Sequence, residues 1–219
     1  MLDVGQIMSI GEVERMGVGL AFLIFPILFI IGFAVHPNLL RPRRVRNVDD
    51  LVARVRRNPR LQVGHVLVLL STPMLIAVAI QCMTLSLSGP LAWLALVGGA
   101  IAVCGVVILA ADKGALGLVI SALDTLPDGE FAQLKPGLKA MQNQAGWLAM
   151  LRGIALLPLG FVVLFIAMLS AGALSVWQAI TLLIGTILLI APDGFEIVSL
   201  LGSVLLAIGL MPFVLQLLA

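Results

Sequence analysis

The feature that most constrains this chain is a run of about 20 apolar residues that recurs along nearly its whole length, interrupted by short polar stretches. Such runs cover residues 16–35, 63–83, 91–111, 145–169, 174–191 and 195–218. A bilayer's hydrocarbon core is crossed by about 20 apolar residues in a helix, so the pattern predicts about six spans. Water is excluded as the solvent for them. The chain is 61% hydrophobic and 11% charged over 219 residues, whereas soluble domains carry roughly 25% charged residues. A single small globule cannot hide that much apolar surface. The sequence therefore predicts an all-α fold, a polytopic transmembrane helix bundle forming one domain over residues 1–219.

Prolines and polar breaks set the expected ends. Pro26, Pro73 and Pro158 fall inside the first, second and fourth spans. An interior proline removes a backbone hydrogen bond and bends the helix. His36-Pro37 closes the first span, because a residue before proline is pushed out of the helical region. The third span presents two alternatives at Asp112-Lys113. Either the helix ends near Ala111 and residues 114–123 lie along the interface, or it runs on and carries both charges deep. The first is preferred, since 92–111 already supplies a full crossing. Residues 124–144 read as a polar loop. The N-terminus lacks a basic region and a cleavage site, so the first span reads as a retained helix rather than a signal peptide.

Charge sets the expected orientation. Residues 38–62 hold Arg41, Arg43, Arg44, Arg46, Arg54, Arg56, Arg57 and Arg60 against Asp49 and Asp50. With six spans, this loop shares a side with Lys113, Lys135, Lys139 and Arg152, leaving Arg15 alone on the other. Basic loops stay cytoplasmic, which predicts a bacterial cytoplasmic (inner) membrane protein with both termini outside the cytoplasm. Bases beside an anionic leaflet contribute on the order of 1 kcal/mol each. The arginine loop is thus expected to lie on anionic lipid headgroups, with Asp49–Arg57 as a short surface helix; nucleic acid is not an expected partner.

Two features carry functional expectations. Small residues form seams: Ala95, Gly98, Ala102 and Gly105 in the third span, Ala149 and Gly153 in the fourth, Ser199, Ser203 and Ala207 in the sixth. Such seams bring membrane helices together, either within the chain or in a homo-oligomer or larger membrane complex. The second feature is a charge cluster at the cytoplasmic boundary: Asp112, Lys113, Arg152, Asp193 and Glu196, with His36 and His65 beside it. Arg152 stands two turns inside an apolar run, where a charge costs a few kcal/mol and calls for snorkelling, a carboxylate partner or a bound anion. His36 and His65 end one span and begin the next, and are weak candidates for holding a cofactor; they more often serve as polar caps. Two histidines do not make a metal site, no catalytic constellation is present, and Cys82 and Cys104 have no paired spacing. No cofactor and no metal is predicted.

Trp177-Gln178-Ala179, Ile184-Gly185, Ala191-Pro192-Asp193 and Leu205 through Pro212 resemble a group of bacterial six-helix integral membrane proteins with no assigned activity. The Gly64-His65 start of the second span fits the same group. The resemblance implies the fold and a bacterial origin and transfers no site residues. The expected function is a non-catalytic accessory or assembly subunit, or a homo-oligomer. The alternatives are a small ion or solute transporter or channel using the charge cluster, and a histidine-dependent cofactor binder.

Overall fold

A computed structural model describes residues 9–36, 39–40, 49–50, 56, 58–142, 144, 152–191 and 195–219. Seven helices occur among them: α1 (Ile10–Ala34), α2 (Pro59–Ser86), α3 (Ala92–Asp124), α4 (Asp128–Gln142), α5 (Leu156–Ser170), α6 (Val176–Leu188) and α7 (Glu196–Leu218). No strand occurs among the described residues. The fold is all-α, and α1, α2, the Ala92–Ala115 part of α3 and α7 are long and apolar enough to cross a bilayer. The apolar helices α5 and α6 have 15 and 13 residues. At 1.5 Å per residue they reach only about 20 Å, two-thirds of a hydrocarbon core.

Three helices, α1, α2 and α6, start where a side chain pairs with a backbone amide. Glu12 and Ser9 cap α1 reciprocally: Ser9 N donates to Glu12 Oε2 at 2.7 Å and Glu12 N donates to Ser9 Oγ. In α2, Asn58 Oδ1 accepts from Leu61 N, and Pro59 follows at a position that needs no donor. At α6, Ser175 N and Oγ both donate to Gln178 Oε1, at 3.1 and 2.7 Å.

The six apolar helices close into a ring in the order α1, α2, α3, α5, α6, α7 and back to α1, with α2 and α5 also touching across it. The small-residue face of α3 is spent inside this ring. Ala95 and Ala102 are fully buried, Gly98 faces Val163, and a side chain at Gly160 would collide with the Ala102 backbone. Gly32 faces Gly64 where α1 meets α2, a Cβ on Gly64 coming within 2.9 Å of the Gly32 carbonyl oxygen. These close approaches are how lipid-embedded helices gain contact where no hydrophobic drive separates them from lipid.

Three expectations are corrected. The third span does not end near Ala111: α3 continues unbroken to Asp124. Lys113 Nζ reaches Asp112 Oδ2 at 3.0 Å and Asp112 turns inward, so the helix carries the charges without offering them to lipid. Residues 124–144 are not a loop, since 128–142 form α4. Its Asp128 and Glu130 in the first turn and Lys139 in the last complement the helix dipole, and its Phe131 is buried. Pro158 does not bend a helix: α5 begins at Leu156, so the proline sits in the first turn, where its missing N–H leaves nothing unpaired. The chain turns at Ile154-Ala155 just before it, and Arg152 lies outside α5 and is exposed. Pro26 and Pro73 do lie inside α1 and α2; Ala149 lies outside the described residues.

Candidate functional site

The ring is solid at one end and hollow at the other. In the solid half, Val78 and Cys82 of α2, Leu164 and Met168 of α5 and Leu182 of α6 have no exposure at all. Its hydroxyls turn back on their own helices. Ser86 Oγ donates to Cys82 O at 2.8 Å and Ser170 Oγ to Ala167 O at 2.7 Å. Satisfied in this way, they bring no chemistry to a neighbouring helix.

The hollow half surrounds a cavity of about 490 Å³ to which all six helices contribute. That volume lies within the range of small-molecule sites, roughly 300–1,000 Å³. Its walls are aromatic: Phe25, Phe29 and Phe33 come from α1, and Phe161 and Phe165 from α5. The α1 rings form a ladder, Phe25 edge-on to Phe29 at 6.1 Å and Phe29 stacked on Phe33 at 5.9 Å, so one side of the cavity is rigid. The i, i+4 spacing of these residues puts them on a single helix face.

The polar groups gather where α1 and α3 meet the starts of α2 and α7. His36, His65, Asp112, Lys113 and Glu196 all line the cavity. Glu196 is buried in the first turn of α7, and His36 Nε2 stands 3.6 Å from its Oε1. Asp112 is the most deeply sequestered of the set at 1% exposure. Its Oδ2 is held by Lys113, but its Oδ1 is buried with no hydrogen-bond partner among the described residues. A buried oxygen left unpaired costs on the order of 1–3 kcal/mol, and more where charged. The chamber is therefore aromatic and apolar over most of its wall, with Asp112, Lys113, Glu196 and the two histidines gathered at one end.

Of the expected cluster, the structure unites Asp112, Lys113 and Glu196 with His36 and His65. Arg152 does not join them, being exposed and outside the lining, and Asp193 lies outside the described residues. No group of three or more metal-ligating side chains occurs among the described residues. The aromatic lining was missed in the sequence, although Phe25, Phe29 and Phe33 at four-residue spacing, opposite Phe161 and Phe165, signalled it.

Of the arginine loop, Arg41, Arg43, Arg44, Arg46, Arg54 and Arg57 lie outside the described residues, and Arg60 is exposed. Arg56 faces protein rather than outward. Its Nη2 donates to Leu126 O at 3.0 Å and meets Asp128 Oδ1 at 2.8 Å, and its guanidinium stands 4.0 Å over the Phe131 ring. Lys135 pairs with Asp49, and Gln62 Nε2 donates to Asp124 Oδ2 at 2.6 Å. These links fasten α4 to the segment before α2, beside the hollow end.

Compared with protein families, with curated proteins and with solved structures, the chain finds no match.

Proposed function

We propose that this protein is a small membrane transporter or solute-binding protein whose central chamber takes an amphipathic molecule. The observation that carries this reading is the cavity itself, about 490 Å³ between six apolar helices, with charged groups gathered at one end of an aromatic lining. A protein serving only as packing material gains nothing from keeping such a space, because unfilled volume and an unpaired acceptor both cost stability. The accessory or homo-oligomer reading loses its main support as well: the α3 seam that would have made an interface is occupied by α5 of the same chain. Two short apolar helices, α5 and α6, stand among longer ones, and unusually short apolar segments accompany transporter sites.

In this reading all six apolar helices cross a bacterial inner membrane, α5 and α6 with help from the turns that flank them. The arginines of residues 41–60 lie at the anionic cytoplasmic leaflet, the charged end of the cavity faces the cytoplasm, and both termini are outside. Cofactor binding through His36 and His65 draws less support, because Glu196 already engages His36.

Proteoliposomes loaded with a fluorescent amphipathic solute test the proposal. Flux above that of protein-free vesicles is expected, and Leu109→Trp, which fills the cavity from α3, abolishes it. Equal leak from protein-free and protein-containing vesicles across a panel of such solutes contradicts the reading.

A further inference from the structure

Two exposed tryptophans give the bundle a ruler. Trp93 and Trp177 stand in the first turns of α3 and α6, at the solid end, and are 63% and 52% exposed. Indole rings favour the level of the lipid headgroups, so this end lies at one bilayer boundary. A hydrocarbon core is about 30 Å thick, or about 20 helical residues, which carries α3 from Trp93 to Lys113. The charged end of the chamber therefore lies at the opposite boundary, and its phenyl-lined body lies in hydrocarbon.

The same ruler fixes where the chamber opens. Among the described residues that line it, two are exposed, Ala155 just before α5 and Ile190 just after α6. Gly105 packs on Leu157 and Gly153 on Ile108, so Ala155 stands level with the stretch of α3 between Gly105 and Ile108. That level is about 10 Å short of Lys113. From Trp177, Ile190 is reached after about 20 Å, again about 10 Å short of the far boundary. Both rims are apolar, Ile154-Ala155-Leu156 and Leu189-Ile190-Ala191. Among the described residues, contact between α5 and α6 is the least extensive of any neighbouring pair in the ring. A mouth at that depth, with such a rim, opens to lipid and not to water.

Resting on the solute-binding reading above, we infer that the chamber takes a single-chain amphiphile from the surrounding leaflet. Its hydrocarbon chain passes between Ala155 and Ile190 into the phenyl-lined space, while its head stays level with Lys113. The cavity's volume, in the range of small-molecule sites, suits one chain. Apolar and aromatic walls receive that chain without asking it for a hydrogen bond.

The test uses the full chain in phospholipid vesicles and two photoreactive probes. One is palmitic acid with a mid-chain diazirine, the other a benzyl alcohol with a diazirine on its ring. After illumination, mass spectrometry locates the adducts. The fatty acid is expected to mark Leu109 and Phe161 inside the chamber, as well as Val107 on the exposed side of α3. Ile190→Trp and Ala155→Trp narrow the mouth, and each is expected to cut the chamber adducts several-fold while the Val107 adducts hold. If chamber adducts match the wild type in both variants, or if only the benzyl alcohol marks the chamber, entry from the leaflet is overturned and the chamber remains a solute site. If neither probe marks the chamber, the solute-binding reading falls and the inference with it. Should Ala155→Trp not fold, Ile190→Trp, at an exposed position, decides alone.

Discussion

The two halves of the helix ring solve opposite problems with the same materials. In the solid half, Met168, Leu182, Cys82 and Leu164 are sealed to 0% exposure, and the hydroxyls of Ser86 and Ser170 donate to carbonyls of their own helices. In the hollow half, phenyl rings stack along the faces of α1 and α5 and Asp112 keeps an oxygen unpaired among the described residues. Both halves have glycine at their helix contacts, Gly99 against Met83 towards the solid end and Gly32 against Gly64 at the hollow end. Glycine contacts alone therefore do not decide whether the interior fills. What differs is the side chain behind the contact: aliphatic groups interdigitate, while a stacked ladder of phenyl rings is too stiff to collapse across the ring. Close packing fills one half and the cavity occupies the other.

The sharpest way to break this contrast is at the α3–α5 seam, which both halves need. Gly160→Val would drive a branched side chain into the Ala102 backbone. Overpacking costs about 1–3 kcal/mol where neighbours can shift and more where they cannot, and here backbone is the obstacle. The variant is expected to be lost from the folded fraction on size-exclusion chromatography. Gly114→Ala, a helix position with open space around it, is expected to hold or slightly raise the unfolding temperature.

A matched pair of truncations measures the halves against each other. Leu182→Ala opens a void in close-packed surroundings and should cost about 2–5 kcal/mol by thermal unfolding in detergent. Leu109→Ala enlarges a space that already exists, so only the transfer part of that penalty applies and the loss should sit near the low end, about 2 kcal/mol. Equal losses would mean that the chamber is filled by protein in the working state.

The smallest expected effect lies outside the ring. Arg56→Ala removes an ion pair to Asp128 and a ring contact to Phe131, together about 1–2 kcal/mol. It is expected to speed tryptic cleavage at Lys139 roughly tenfold while leaving the unfolding temperature of the ring unchanged. A ring destabilised along with α4 would show that the two fold as one unit.

Much of this was legible in the residues because lipid imposes a simple rule: long apolar runs become helices, and charges gather at their ends. Hydropathy by that rule is enough to bring His36, His65, Asp112, Lys113 and Glu196 to one boundary. It fails where a charge faces protein instead of lipid. Asp112-Lys113 did not stop α3, because the two side chains pair and Asp112 points inward, a choice invisible to hydropathy. The turn at Ile154-Ala155, which parts Arg152 from α5, leaves no mark in an apolar run. The amphipathic spacing of Phe131, Leu134 and Leu138 in α4 was hidden among polar residues, and Arg56's partners, Leu126 and Asp128, lie about 70 positions further along the chain. The chamber's emptiness was not legible at all, being a property of how six faces meet.

Cysteine accessibility tests the division most directly. In a background of Cys82→Ser and Cys104→Ser, the single substitutions are Leu109→Cys, at a position that lines the cavity, and Leu182→Cys, at one that does not. The reagent is a small uncharged maleimide, applied to detergent-purified protein. The Leu109→Cys protein is expected to label readily, while the Leu182→Cys protein stays inert until it is unfolded. Matching reactivity at the two positions, whether both fast or both silent, contradicts a bundle that is solid at one end and hollow at the other.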